Sequence, residues 1–152
     1  MRVNDQRGYG AALLVLGLLM QPPADAADYR TGNLVVSQPW SSPTPPVASV
    51  GAVYFSLTNT GPKAERLMGI SSPIARLVEI HQSRQVQGMM QMRAVTFVDA
   101  AAGATVKIEP GGLHIMLVGL KRPLTPGMEF PMALTFRDSG VLHITVKVSA
   151  RQ

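Results

Sequence analysis

From residue 49 onward, turn signals interrupt the chain at intervals of about 8–12 residues, the spacing of short strands in a β-sandwich or barrel. The strands read as Ser49–Leu57, Glu65–Ile70, Arg76–His81, Met89–Val98, Thr105–Ile108, Leu113–Val118, Met132–Phe136 and Val141–Val148. Between them lie NTGP at 59–62, SSP at 71–73, a loop at 82–88, a turn around 101–103, PGG at 110–112, a loop through 123–127 and DSG at 138–140. No segment carries a long amphipathic helical period, and no internal repeat is visible. The body, 50–150, reads as one all-β domain. The segment before it, 27–49, holds SQPWSSPTPPVAS with four prolines and reads as an extended arm with at most one edge strand, at Asn33–Ser37.

The first 26 residues have a different character. Arg2 and Arg7 precede the apolar run AALLVLGLLM at 11–20, which is too short to span a bilayer. Small residues follow at Ala24, Ala26 and Ala27. This order of charge, apolar stretch and small residues is that of a secretory signal peptide, expected to be cleaved after Ala26. The mature form is then an exported soluble protein without a membrane span.

Composition narrows the function. The 152 residues contain no cysteine, which excludes thiol nucleophiles, thiolate metal sites, redox pairs and the ordinary blue-copper centre. The formal net charge is +5, but the basic residues are scattered and no basic run alternates with aromatics. Nucleic-acid binding is therefore not expected. No G-x-S-x-G, no H-E-x-x-H and no paired carboxylates in motif context point to hydrolysis, so the chain does not read as an enzyme. Nine methionines are many for this length.

The histidines and methionines fall on strand faces. His114 and Met116 share one face of their strand, while Leu113, Ile115 and Leu117 take the other and read as core. His81 lies with Glu79, opposite in phase to Val78 and Ile80. Met90 and Met92 share a face; Met89 takes the other and reads as a packing residue. His143 alternates with inward Leu142 and Ile144 and reads as a surface histidine. Met68, Met128 and Met132 read as core or turn packing. Thioethers are soft and neutral and suit Cu(I), while imidazole suits copper in either oxidation state. A thioether site also suits a compartment where thiols would form disulfides.

The spacing has a known parallel. Ten residues separate His81 from Met92, and twenty-one separate Met92 from His114-Ile115-Met116. This resembles the H-x10-M-x21-H-x-M signature of the PCu(A)C family of periplasmic copper chaperones. The context agrees at AVYFSLTNTG 52–61, ERL 65–67, VEIH 78–81, MRAV 92–95, PGGLHIMLVGLKRPLTPG 110–127 and MALTF 132–136. Many members place a methionine directly after the first histidine, where this chain has Gln82.

The resemblance implies a cupredoxin-like or immunoglobulin-like β-sandwich or barrel, acting in the periplasm as a monomer. It implies one Cu(I) held by His81, Met92, His114 and Met116, with Met90 a spare thioether. It further implies copper delivery toward the binuclear copper centre of cytochrome c oxidase, through oxidase subunit II, a Sco-type thioredoxin-like chaperone, or both. Two alternatives stand beside this: copper storage or resistance in the envelope, and a protein-binding sandwich that carries no metal.

Overall fold

The computed structural model describes residues 28–150, and the proposed signal segment lies outside them. Eleven strands form: β1 Asp28–Thr31, β2 Leu34–Ser41, β3 Val50–Asn59, β4 Glu65–Ser71, β5 Ala75–Val86, β6 Met89–Val95, β7 Val98–Ala100, β8 Thr105–Ile108, β9 Leu113–Leu120, β10 Glu129–Phe136 and β11 Gly140–Val148. Alternation writes them directly. In GVLHITVKV of β11 every second residue from Leu142 is buried, and the intervening ones face water.

The strands join in one hydrogen-bonded path, β6-β5-β9-β8-β3-β2-β11-β10-β4-β7, with β1 beside β2. The link between β2 and β11 is parallel and short, pairing Trp40 with Lys147 and Ser41 with Val148. Around this link the sheet folds over on itself. Val36, Phe55, Leu57, Ile80, Ile115 and Leu117 on one side share a single core with Leu67, Phe130, Leu134, Phe136, Ile144 and Val146 on the other. The result is an all-β sandwich that is not closed into a barrel, since β6 and β7 remain at its ends.

Three local expectations are corrected. The segment expected to be an arm with one edge strand contains β1 and an interior β2, which lies between β3 and β11. Pro39 misleads here: Gln38 adopts φ 53° and the β2–β3 register shifts between Ser37 and Trp40. This bulge lets a proline sit within the sheet without removing a required ladder bond.

The expected loop at 82–88 is a β-hairpin. β5 runs to Val86, and Gln87 and Gly88, both at positive φ (50° and 81°), connect it to β6. A two-residue connection with both residues left-handed suits the twist of paired strands.

Finally, the strand expected at Met89–Val98 breaks at Thr96–Phe97. β6 stays with β5, while β7 crosses to pair with β4 in the other half.

Candidate metal centre

The site is built by three adjacent strands, β6, β5 and β9. In their register His81 faces His114, Glu79 faces Met116, and Ser83 faces Met92. Directly paired residues in an antiparallel ladder project to the same side, and so do residues two apart on one strand. His81, Met92, His114 and Met116 therefore share one sheet face. The opposite face presents Ile80 and Ile115 to the core. The four residues lie on the outer face of the sheet because the core claims their neighbours.

The two imidazoles are 5.8 Å apart between ring centres. Met92, His114 and Met116 line one open depression with Ser83, Ala52, Tyr54 and the Pro110–Gly111 turn. Burial lifts the Tyr54 phenol above its usual pKa, so it stays neutral at physiological pH. Its ring packs on Trp40 at 4.8 Å between centres. The lone tryptophan thus buttresses the wall of the depression, and it does so from β2.

Hydrogen bonds orient both rings. His114 is buried, and its Nδ1 lies 3.2 Å from the Gly112 carbonyl oxygen. A carbonyl only accepts, so the neutral ring carries its proton on Nδ1 and leaves the Nε2 lone pair free. The same Gly112 oxygen accepts the Ser83 backbone N–H at 3.0 Å, which ties the 109–112 turn to β5.

His81 is set the other way round. Its Nε2 lies 3.0 Å from Glu79 Oε2, so Nε2–H donates to the carboxylate. Nδ1 is then the lone-pair atom, and it is buried without a hydrogen-bond partner. An orphaned buried acceptor is destabilising by about 1–3 kcal/mol, and a metal ion on that lone pair would relieve it. A metal-bound histidine commonly gives its other N–H to a carboxylate or a backbone carbonyl, and this face provides one of each.

Among the described residues, no group of three or more His, Cys, Asp or Glu is arranged to hold a metal ion. A metal held on this face by four protein side chains would draw on the thioethers of Met92 and Met116 beside His81 and His114. Two neutral imidazoles and two thioethers form a soft, uncharged donor set that fits Cu(I) and suits Mg, Ca or structural Zn poorly.

The other candidates separate. His143 is exposed on β11, remote in the sheet order from β5, β6 and β9. Met132 is buried in the core and Met128 packs against it. Met68 is 46% exposed and Met89 63% exposed, so neither is the packing residue expected. Met90 lies opposite Gln85, on the same face as Met92.

Sequence reasoning did not single out Glu79 as a partner of His81. The signal was there, in that residues two apart on a strand share a face. Glu79→Ala is expected to weaken Cu(I) binding about tenfold or more, the cost typical of losing an outer hydrogen-bond partner. Glu79→Gln should retain most of the affinity, because its carbonyl oxygen can still accept from Nε2. Competitive anaerobic titration of both variants checks this.

The sequence matches the LpqE-like family over residues 34–148, which covers every strand of the sandwich except β1. The chain belongs to the LpqE-like family. Among relatives of this LpqE-like protein, RP573 of Rickettsia prowazekii (strain Madrid E) is 38% identical over 131 residues, 84% of this chain and 69% of that one.

Solved structures share the LpqE-like chain's fold. The copper-bound PCuAC domain from PmoF2 superposes with a TM-score of 0.70 at 22% identity, over 82% of this chain and 99% of that one. CuI-DR1885 from Deinococcus radiodurans superposes with a TM-score of 0.56 at 28% identity, over 73% of this chain and 74% of that one. These structures share the fold, and the donor set on this face is of the soft, uncharged kind.

Proposed function

We propose that this protein is a copper chaperone of the PCu(A)C type. It carries one Cu(I) on His81 Nδ1, His114 Nε2 and the sulfurs of Met92 and Met116. It works in the periplasm and delivers copper toward the binuclear copper centre of cytochrome c oxidase. The acceptor is oxidase subunit II, reached directly or through a Sco-type thioredoxin-like chaperone.

The observation that carries this reading is the convergence of two oriented imidazoles and two thioethers on one outer face of the sheet. The copper bound by the PmoF2 domain and by CuI-DR1885 supports it. The lipoprotein description of the family supports a place outside the cytoplasm, as does the signal-like segment 1–26. Exposure favours carriage over storage. Met92 is 57% exposed, so an incoming ligand can reach the metal and replace the thioether. Release proceeds by stepwise ligand exchange, with copper remaining Cu(I). No covalent bond in a substrate is made or broken, so the protein is a carrier and not an enzyme.

Anaerobic titration of the mature protein against a competing chelator should show one equivalent of Cu(I) bound. X-ray absorption of that sample should show mixed sulfur and nitrogen scattering. Incubation with the copper-free soluble domain of oxidase subunit II should then move Cu(I) onto that domain, measured as copper eluting with it after the two proteins are separated. No uptake of Cu(I), or scattering from nitrogen and oxygen alone, would overturn the assignment. Tight binding without transfer to subunit II, directly or with a Sco-type partner present, would favour storage.

A further inference from the structure

The β5–β6 hairpin projects beyond the core: from Arg84 to Ala94 none of its residues is buried. Met89, Met90 and Met92 on its second strand are 63%, 63% and 57% exposed. Methionine is among the residue types most often buried, so three within four positions on an exposed strand call for a reason other than packing.

The ladder sorts them by face. Met92 lies opposite Ser83 and Met90 opposite Gln85, and both partners are in phase with His81 on β5. Met90 and Met92 therefore stand on the same side as the two imidazoles, with Met90 farther out along the hairpin. Met89 lies opposite Val86 and takes the other side. Residues two apart on a strand are separated by roughly 6.5–7 Å. Two unbranched side chains with three rotatable bonds each can bring their sulfurs onto a single ion across that span. Cu(I) suits such soft ligands.

We infer that Met90 and Met92 form an outer, transient Cu(I) landing site at the end of the hairpin. It rests on the chaperone reading above and adds an order of events to it. Cu(I) arrives as a soft complex, and Met90 and Met92 displace the donor's ligands one at a time. Met92 then keeps its bond while Met90 is exchanged for the imidazoles and Met116. The ion enters and stays as Cu(I), the donor's ligand departs intact, and no oxidant or reductant takes part. Met90 thus governs the rate of loading, whereas the four inner residues govern the affinity.

Stopped-flow mixing of the mature protein with Cu(I)-bicinchoninate under anaerobic conditions tests this, the loss of the chelate's colour reporting uptake. A small-molecule donor removes any contribution from protein docking. Met90→Leu keeps size and apolarity but removes the sulfur, at an exposed position where the fold does not depend on it. It should slow uptake about tenfold, equivalent to about 1.4 kcal/mol on the barrier, with equilibrium affinity essentially unchanged. Met89→Leu, equally exposed on the opposite face, should leave both unchanged.

Uptake by Met90→Leu at the wild-type rate would overturn the landing site. Equal slowing in Met89→Leu would do the same, since it would implicate general apolarity of the hairpin. A loss of affinity in Met90→Leu as large as that in Met92→Ala would place Met90 in the resident set and also overturn it. If the unmodified protein takes no Cu(I) at equilibrium, the chaperone reading itself fails, a result distinct from any change in rate.

Discussion

Met92→Ala, His114→Ala and Met116→Ala are each expected to weaken Cu(I) binding by about 100-fold or more. Loss of an outer hydrogen-bond partner alone typically weakens metal binding by about 10–100-fold, and these variants remove a donor atom outright. A factor of 100 corresponds to about 2.7 kcal/mol.

The three variants differ in what else they disturb. Met92 is 57% exposed on the terminal strand of the sheet, so its removal alters the donor set and little besides. His114 is buried and tethered to the Gly112 carbonyl, so its loss also loosens the 109–112 turn. His143→Ala is the matching control: it removes an exposed histidine on β11 and should bind copper like the parent protein. Anaerobic competition titrations, with circular dichroism to confirm folding, provide the check. Parent-like affinity in all three donor variants would remove the site assignment.

The second large effect concerns stability. Glu65 is buried where β4 begins, and its carboxylate gathers four donors. The Arg66 N–H lies at 2.7 Å, the Ser139 N–H at 2.9 Å, the Ser139 hydroxyl at 2.8 Å and the Asp138 N–H at 3.2 Å. It thereby clamps the β10–β11 turn onto β4. Glu65→Ala leaves these donors without their acceptor and should destabilise the fold by about 3 kcal/mol. Urea unfolding measures this.

The contribution also depends on pH. Burial pushes the Glu65 carboxyl up, but the hydrogen bonds from Arg66, Ser139 and Asp138 outweigh it and hold the carboxyl below the usual range. The folded carboxyl therefore ionises at lower pH than the unfolded one. Its stabilisation is fully present above the unfolded pKa of about 4.3 and disappears as pH falls through the folded value. Between pH 7 and pH 3 the gap in stability between parent and Glu65→Ala should narrow. A gap independent of pH would mean that the carboxylate charge contributes nothing.

Alternation along single strands was the most legible part of this sequence. It placed His114 and Met116 away from Ile115 and Leu117, and His81 away from Ile80, as the structure has them. It also held an unused sign in Glu65, which shares the core-facing phase of Leu67, where a carboxylate requires partners.

What single strands could not supply was pairing. That His81 faces His114 is fixed by the β5–β9 ladder, between segments more than thirty residues apart. The hairpin was hidden for a different reason. Its turn is Gln87-Gly88, and glutamine lacks the short side chain that marks Asn-Gly or Asp-Gly turns. Interior β2 was masked by Pro39, which its bulge accommodates. The chain's crossing at Thr96–Phe97 sends β7 to the other half of the sandwich, a choice settled by the core and not by local propensity.

The terminal position of β6 has a consequence for life in a concentrated compartment. Its outer edge carries unpaired backbone groups beside three exposed methionines, an arrangement that invites edge-to-edge pairing and aggregation. Arg84 and Arg93 stand on the hairpin's other face, opposite Gln91 and Gln82. Two molecules pairing through β6 would bring two Arg93 guanidinium groups to one ladder, with Arg84 one strand behind, and like charges facing each other there are destabilising. Charged side chains on an edge strand blunt its pairing with another edge, and here they share the hairpin with the exposed thioethers.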